Sequence, residues 1–231
     1  MDCPGPRIIF LFGQSTNKFT LPAKFEKCNI IWVFTQNINS MGRKPNTESR
    51  RRQIIDALFV EIAEMGYQRA STVSIAARAG LAPGLIHYHF ESKEDILIAL
   101  VDELIAFAEL AGAAAMDAAP TAATKLKAYV SARVGFGANA DASQVKAWVG
   151  ILAEAMNLPS IRERVAQWLA ADHALLANLF EESGAKQSRE HASMLLAAIL
   201  GSFTLHSLAI PDVPTAYAEG QLHAWLDALA T

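Results

Sequence analysis

Fourteen residues, Ala79-Gly80-Leu81-Ala82-Pro83-Gly84-Leu85-Ile86-His87-Tyr88-His89-Phe90-Glu91-Ser92, constrain the fold more than any other stretch of the chain. They read as the turn and second helix of a helix-turn-helix. The run before them, Ser71 to Ala79, opens on a hydroxyl N-cap candidate and carries small apolar residues at helical spacing. Gly80 supplies the backbone freedom that a sharp turn between helices requires. Pro83 suits the first turn of the next helix, where a missing N–H costs nothing. A unit of this kind lays one short helix into a DNA major groove.

The flanks agree with that reading. Arg50-Arg51-Arg52 open a segment whose apolar pairs Ile54/Ile55, Leu58/Phe59 and Ile62/Ala63 recur every four residues until Gly66. That spacing makes one buried stripe on a helix. Ser92-Lys93-Glu94-Asp95 reads as an N-cap with two acids in the first turn, followed by the apolar helix Ile96–Val101. With the order long helix, Ile-Ala-x-x-Ala-Gly, Pro-Gly-x-Ile-x-Tyr-x-Phe and Ser-Lys-Glu, residues 48–104 resemble the DNA-binding domain of the TetR family of bacterial transcriptional repressors. Arg50–Ala57 together with Ala79–Leu81 and Gly84–Ile86 are similar to the BetI-type subgroup in particular. Ala82 departs from the pattern, standing where the family usually has a Ser or Thr cap; such a loss costs on the order of 1 kcal/mol.

Charge alone argues against a DNA binder, since the formal net charge is −3. Its distribution points the other way. Five basic residues (Arg43, Lys44, Arg50, Arg51, Arg52) against Glu48 give +4 between Arg43 and Arg52, whereas eight basic and fourteen acidic residues give −6 from Ile96 onward. A basic arm beside the helix-turn-helix, on an acidic body, keeps the second domain off DNA. Ala-Leu richness with few β-branched runs favours helices, and no apolar stretch is expected to span a bilayer. The expected architecture is therefore all-α, about nine helices, in a cytoplasmic protein. A three-helix head at 41–92 would precede a larger ligand-binding and dimerisation domain at 93–231.

Residues 1–40 differ in character, with the strand-like runs Ile8–Phe12 and Ile30–Phe34, and lack the flanks of a secretory signal. Met41-Gly42-Arg43-Lys44-Pro45 looks like a family-type start. An upstream start-site assignment is the favoured explanation for 1–40, and a genuine N-terminal arm the alternative. Cys3 and Cys28 form no metal-type spacing, and a disulfide between them is disfavoured in a reducing cytoplasm.

Candidate DNA contacts are Arg50, Ser71, Gly84, Leu85, His87, Tyr88, His89 and Lys93. Gly84 permits close backbone approach, and Leu85 suits a thymine methyl. Lys93 beside the helix start at Ser92, and Ser71 at another helix start, suit phosphate. The resemblance places Tyr88 at phosphate or base edge, His87 at a base-reading position, and His89 at phosphate or in the core. His87 and His89 point about 200° apart on a helix and cannot chelate one ion, so no metal or other cofactor is expected. A glycine-rich phosphate loop, a Gly-x-Ser-x-Gly elbow and a paired-acid site are all missing from the sequence, so no enzyme is expected.

Later helices carry Tyr129, Phe136, Trp148, Met156, Trp168 and His173, read either as ordinary core or as the lining of an apolar ligand cavity. The resemblance implies such a cavity, a small-molecule inducer and a dimer on a palindromic operator. The inducer is expected to be apolar or cationic. Choline, which the BetI likeness suggests, is not carried over, because the likeness is concentrated in the DNA-binding half. The homodimer is expected through the last two long helices, with Met194, Leu195, Ala198, Ile199, Gly201, Ser202, Leu205 and Leu208 facing Tyr217, Leu222, Trp225 and Leu229. The competing reading is a helical ligand-binding or interaction protein that keeps a vestigial helix-turn-helix.

Overall fold

A computed structural model describes residues 47–135, 142–214 and 217–229. The extension 1–40, the arm residues Arg43 and Lys44, and Phe136 lie outside them. Among the described residues the chain is all helical: α1 (Thr47–Met65), a one-turn 3-10 helix (Tyr67–Arg69), α2 (Thr72–Arg78), α3 (Gly84–His89), α4 (Lys93–Asp117), α5 (Ala122–Val134), α6 (Ala142–Ala155), α7 (Pro159–Glu182), α8 (Ser188–Leu208) and α9 (Tyr217–Leu229).

The helix starts follow local chemistry. Ser71, Ser92 and Thr121 are N-caps, each closing a reciprocal capping box with Ser74, Asp95 and Thr124. Gly80 takes φ +67° at the α2–α3 turn, a conformation costly for any residue with a Cβ. α7 begins at a proline rather than at a hydroxyl cap. Pro159 occupies its first turn behind Leu158, and Ser160 lies inside the helix, where its hydroxyl donates to Glu94 Oε1.

Two apolar clusters organise the molecule. One joins α1–α3 and the start of α4 to Ala147, Ile151 and Ala155 of α6 and Ile161 and Val165 of α7. The other joins α5, α7, α8 and α9 around Tyr129, Leu176, Phe180 and Leu195. The head therefore shares its core with the body across Ser92. Gly150 allows this approach, since a Cβ there would lie 3.1 Å from Ile62 Cγ2. Gln68 Nε2 donates to Glu154 Oε2 at 2.7 Å across the same seam, and within the body Arg164 Nε donates to Asp102 Oδ1 at 2.8 Å.

α8 corrects two sequence expectations. By length and composition it is long and apolar enough to cross a membrane, a stretch the sequence reading does not anticipate, but a single such helix shows no more than a core helix also shows. Leu195, Ile199 and Ser202 face the protein's own core rather than outward, whereas Met194, Ala198, Gly201, Leu205 and Leu208 are exposed.

At the head–body seam Asp56 lies near Glu103 and Arg52. Burial first, then Glu103, push its carboxyl up to about 7 against the pull of Arg52. A folded pKa raised above the unfolded one makes ionisation oppose folding. The penalty is absent below about pH 4, grows as pH rises towards about 7, and is complete above it. Asp56→Asn is expected to stabilise the protein at pH 8 by about 1–2 kcal/mol, the full shift being discounted because the side chain is only half-buried. At pH 4 the gain should vanish. Urea titrations at both pH values check it, and equal effects at the two would contradict the assignment.

Candidate nucleic-acid interface and effector site

The recognition helix α3 divides cleanly by face. Ile86 is fully buried and Phe90, just past its end, nearly so, while Gly84, Leu85, His87 and Tyr88 are exposed. Tyr88 is 77% exposed. On a 100° step, Gly84 and Tyr88 fall on the side opposite Ile86, with Leu85 and His87 on either flank, so burying Ile86 presents Gly84 and Tyr88 outward. Val73 on α2, which sequence reasoning did not single out, is exposed as well.

α3 has only six residues, and Pro83 at its N-cap makes no side-chain capping bond, in keeping with the missing hydroxyl at Ala82. The compensation comes at its other end. The guanidinium of Arg51 donates to the carbonyl of His89 and lies 4.0 Å over the Phe90 ring. A cation on a terminal carbonyl also suits the negative end of the helix. Arg51 is thus a clamp for the recognition helix, and Arg52 reaches Glu103 at 4.0 Å. The basic run is partly internal structure rather than a free DNA-facing arm. Arg50, half-buried, donates to Gln53 within α1 at 2.9 Å.

Of three other candidates, Lys93 is placed differently from expectation, His89 takes the core-side alternative, and Ser71 stands at the expected helix start. Lys93 does not present its ammonium to solvent as a phosphate ligand. Its Nζ donates to the carbonyls of Tyr67 (3.0 Å) and Ala70 (2.9 Å) and lies 4.1 Å over the Tyr67 ring. It ties off the 3-10 helix, and burial lowers its pKa. His89 turns toward the core side, its Nδ1 buried without a partner. Ser71 remains exposed, but its hydroxyl accepts from Ser74 N–H at 3.0 Å.

The body brings together only part of the expected ligand set. Trp148 and Trp168 stack with centroids 5.6 Å apart, and buried Tyr129 lies in the adjoining cluster. Met156 is 77% exposed beyond the end of α6, away from the two tryptophans' buried faces. His173 faces α8, its Nε2 within 3.1 Å of the Arg189 carbonyl and 3.0 Å of Ser193 Oγ. At the centre stand two residues the sequence reading missed. Asp172 Oδ2 accepts from Tyr129 Oη at 2.6 Å and from Arg133 Nη2 at 2.9 Å, while Arg133 Nη1 donates to the Ala108 carbonyl of α4 at 2.6 Å. The Arg133 guanidinium lies 4.6 Å from the Tyr129 ring centroid and 5.6 Å from that of Trp168. Burial raises the Tyr129 pKa, so its phenol stays a donor. A signal existed: Asp172 sits on the buried stripe Ile161, Val165, Trp168, Leu176, Leu179, and a carboxylate there demands a partner.

Residues 54–100 match the family model described as bacterial regulatory proteins, tetR family, and residues 121–228 match that of the tetracyclin repressor-like C-terminal domain. The chain is 32% identical over 168 residues to the HTH-type transcriptional regulator BetI of Escherichia coli, covering 68% of this chain and 82% of that protein. The chain belongs to the tetR family. A BetI of Rhizobium meliloti is 34% identical over 114 residues, a match that spans 49% of this chain and 55% of the relative. A protein from Saccharomonospora viridis solved in complex with choline shares the fold, with a TM-score of 0.67 and 21% identity over 78% of this chain and 96% of that one. The protein is thus a tetR-family transcriptional regulator with an N-terminal helix-turn-helix, and these relatives are regulators rather than enzymes.

Proposed function

We propose that this regulator is a ligand-responsive repressor that binds a palindromic operator as a homodimer and releases it when a small molecule binds in the body. The DNA-binding unit comprises 41–92 and the regulatory unit 93–231. The observation that carries the proposal is the outward face of α3, where Gly84, Leu85 and Tyr88 stand exposed on a helix held by Ile86, Phe90 and Arg51. A vestigial motif has no need of a clamp on so short a helix. His87, Ser71 and Arg50 complete the proposed contacts. α4 starts at the head and passes the Arg133 cluster, so a ligand that shifts α4 changes the spacing of the two heads.

Tyr88→Ala is expected to weaken specific operator binding by roughly 1–3 kcal/mol. Lys93→Ala, whose ammonium is internally spent, should lower the melting temperature and leave the salt slope of binding unchanged. Fluorescence anisotropy against a palindrome upstream of the protein's own gene, over a salt series, checks both. A flat salt dependence for the parent would favour the binding-protein reading instead. By likeness alone, choline is the first ligand to test.

A further inference from the structure

Resting on the ligand-responsive reading, we infer that the effector carries a carboxylate, received by the Arg133 guanidinium together with the indole N–H of Trp168. Trp168 Nε1 is buried and has no hydrogen-bond partner. An indole N–H is a donor only, and leaving one buried and unpaired is costly. The ion facing the Trp168 ring is Arg133, itself a donor with five N–H groups, of which two go to Ala108 and Asp172 among the described residues. Donors on α5 and α7 therefore stand side by side, and Asp172, the acceptor already present, is taken by Arg133 and Tyr129 and leaves the Trp168 N–H unmet. A carboxylate supplies two oxygens in the planar geometry that a guanidinium matches.

The same arrangement disfavours a quaternary ammonium. Such a ligand needs an aromatic face and a nearby anion. Tyr129, Trp168 and Asp172 make that seat, but the chain's own guanidinium already fills it. A cation would have to expel Arg133 and would still leave the Trp168 N–H unpaired. The stacked Trp148–Trp168 pair offers apolar surface for the rest of a flat or slender carboxylate. Regulation follows from the third contact of Arg133. Its hydrogen bond to the Ala108 carbonyl, beside Gly112, couples this site to α4, so a ligand that draws the guanidinium away loosens the helix leading to the head.

Isothermal titration of the full-length protein tests the proposal with 3-phenylpropanoate and decanoate as carboxylates, and (2-phenylethyl)trimethylammonium and choline as cations. Carboxylate binding is expected to exceed that of the size-matched cation. Trp168→Phe, which keeps a ring and removes the N–H, should weaken carboxylate binding about tenfold or more, the size of a lost hydrogen bond to a charged group. The same variant should unfold at an equal or higher temperature, because an unpaired buried donor is gone. A merely structural Trp168 would instead lose stability with no selective effect on carboxylates. Arg133→Gln should abolish carboxylate binding, and circular dichroism shows whether that variant is folded. Binding by neither carboxylate, tighter binding of either cation, or unchanged carboxylate affinity in Trp168→Phe overturns the inference. Operator release is measured separately by anisotropy. Carboxylate binding that depends on Trp168 but leaves the operator complex intact would sustain the site and defeat the release mechanism alone.

Discussion

Arg78→Ala is expected to destabilise the head by about 2–4 kcal/mol and, through that loss, to weaken binding to every DNA sequence alike. Glu61 is the reason. It lies on the buried face of α1, 3% exposed, with Oε1 accepting from Arg78 Nε at 2.6 Å and Oε2 buried without a partner. Arg78 also reaches Glu64, so one guanidinium on α2 holds two acids one turn apart on α1. Truncating it leaves a desolvated carboxylate with no counter-charge, which is where large losses arise. The lower end of the range is appropriate if water reaches the site through the partly exposed Arg78. Glu61→Gln in the same molecule should recover most of the loss, since the group left behind is then neutral. Urea unfolding of the parent, both single variants and the double variant measures the coupling. A single-variant loss below about 0.5 kcal/mol would show that the pair is no more than a surface contact.

What the sequence made legible was what depends on near neighbours. Ser71, Ser92, Gly66 and Gly80 mark helix ends through bonds made within three or four residues, and each stands where its local chemistry placed it. The stripe Ile54, Ile55, Leu58, Ile62 likewise declared its buried face by spacing alone. The direction of long polar side chains was not legible. Lys93 turns inward because the Tyr67 and Ala70 carbonyls wait at the end of a one-turn helix, and their distance in sequence hides them. Arg133 and Asp172 lie on different helices, 39 residues apart, and only packing reveals them as partners. Met156 continues the α6 pattern and so reads as a pocket residue, but α6 stops at Ala155 and the side chain falls outside. Ile199 and Leu205, six residues apart on α8, both read as interface residues, yet the first is buried in the protomer's own core and the second exposed. Periodicity finds a helix's apolar faces but does not say which partner each one meets.

That last distinction sets the test of the proposed dimer. Leu205→Glu is expected to convert the protein to monomers and to reduce operator affinity by about 10²–10⁴, the range lost when two linked half-site contacts become independent. Leu205 is 36% exposed, and the exposed Met194, Ala198, Gly201 and Leu208 belong to the same long helix. Large apolar and small residues mixed in this way let two helices approach closely, and in the proposed dimer α8 and α9 from each of two copies would make a four-helix bundle. A charge there meets its own symmetry mate across a two-fold axis, so each dimer carries it twice with no counter-ion. Ile199→Glu is the control that separates mechanisms: at 3% exposure it faces the protomer's own core, and it should unfold the body rather than split the dimer. Sedimentation gives the mass and circular dichroism the fold. A Leu205→Glu protein that stays dimeric at micromolar concentration would move the interface off α8. One that is monomeric, folded and still tight on a palindrome would instead remove the need for two-headed recognition.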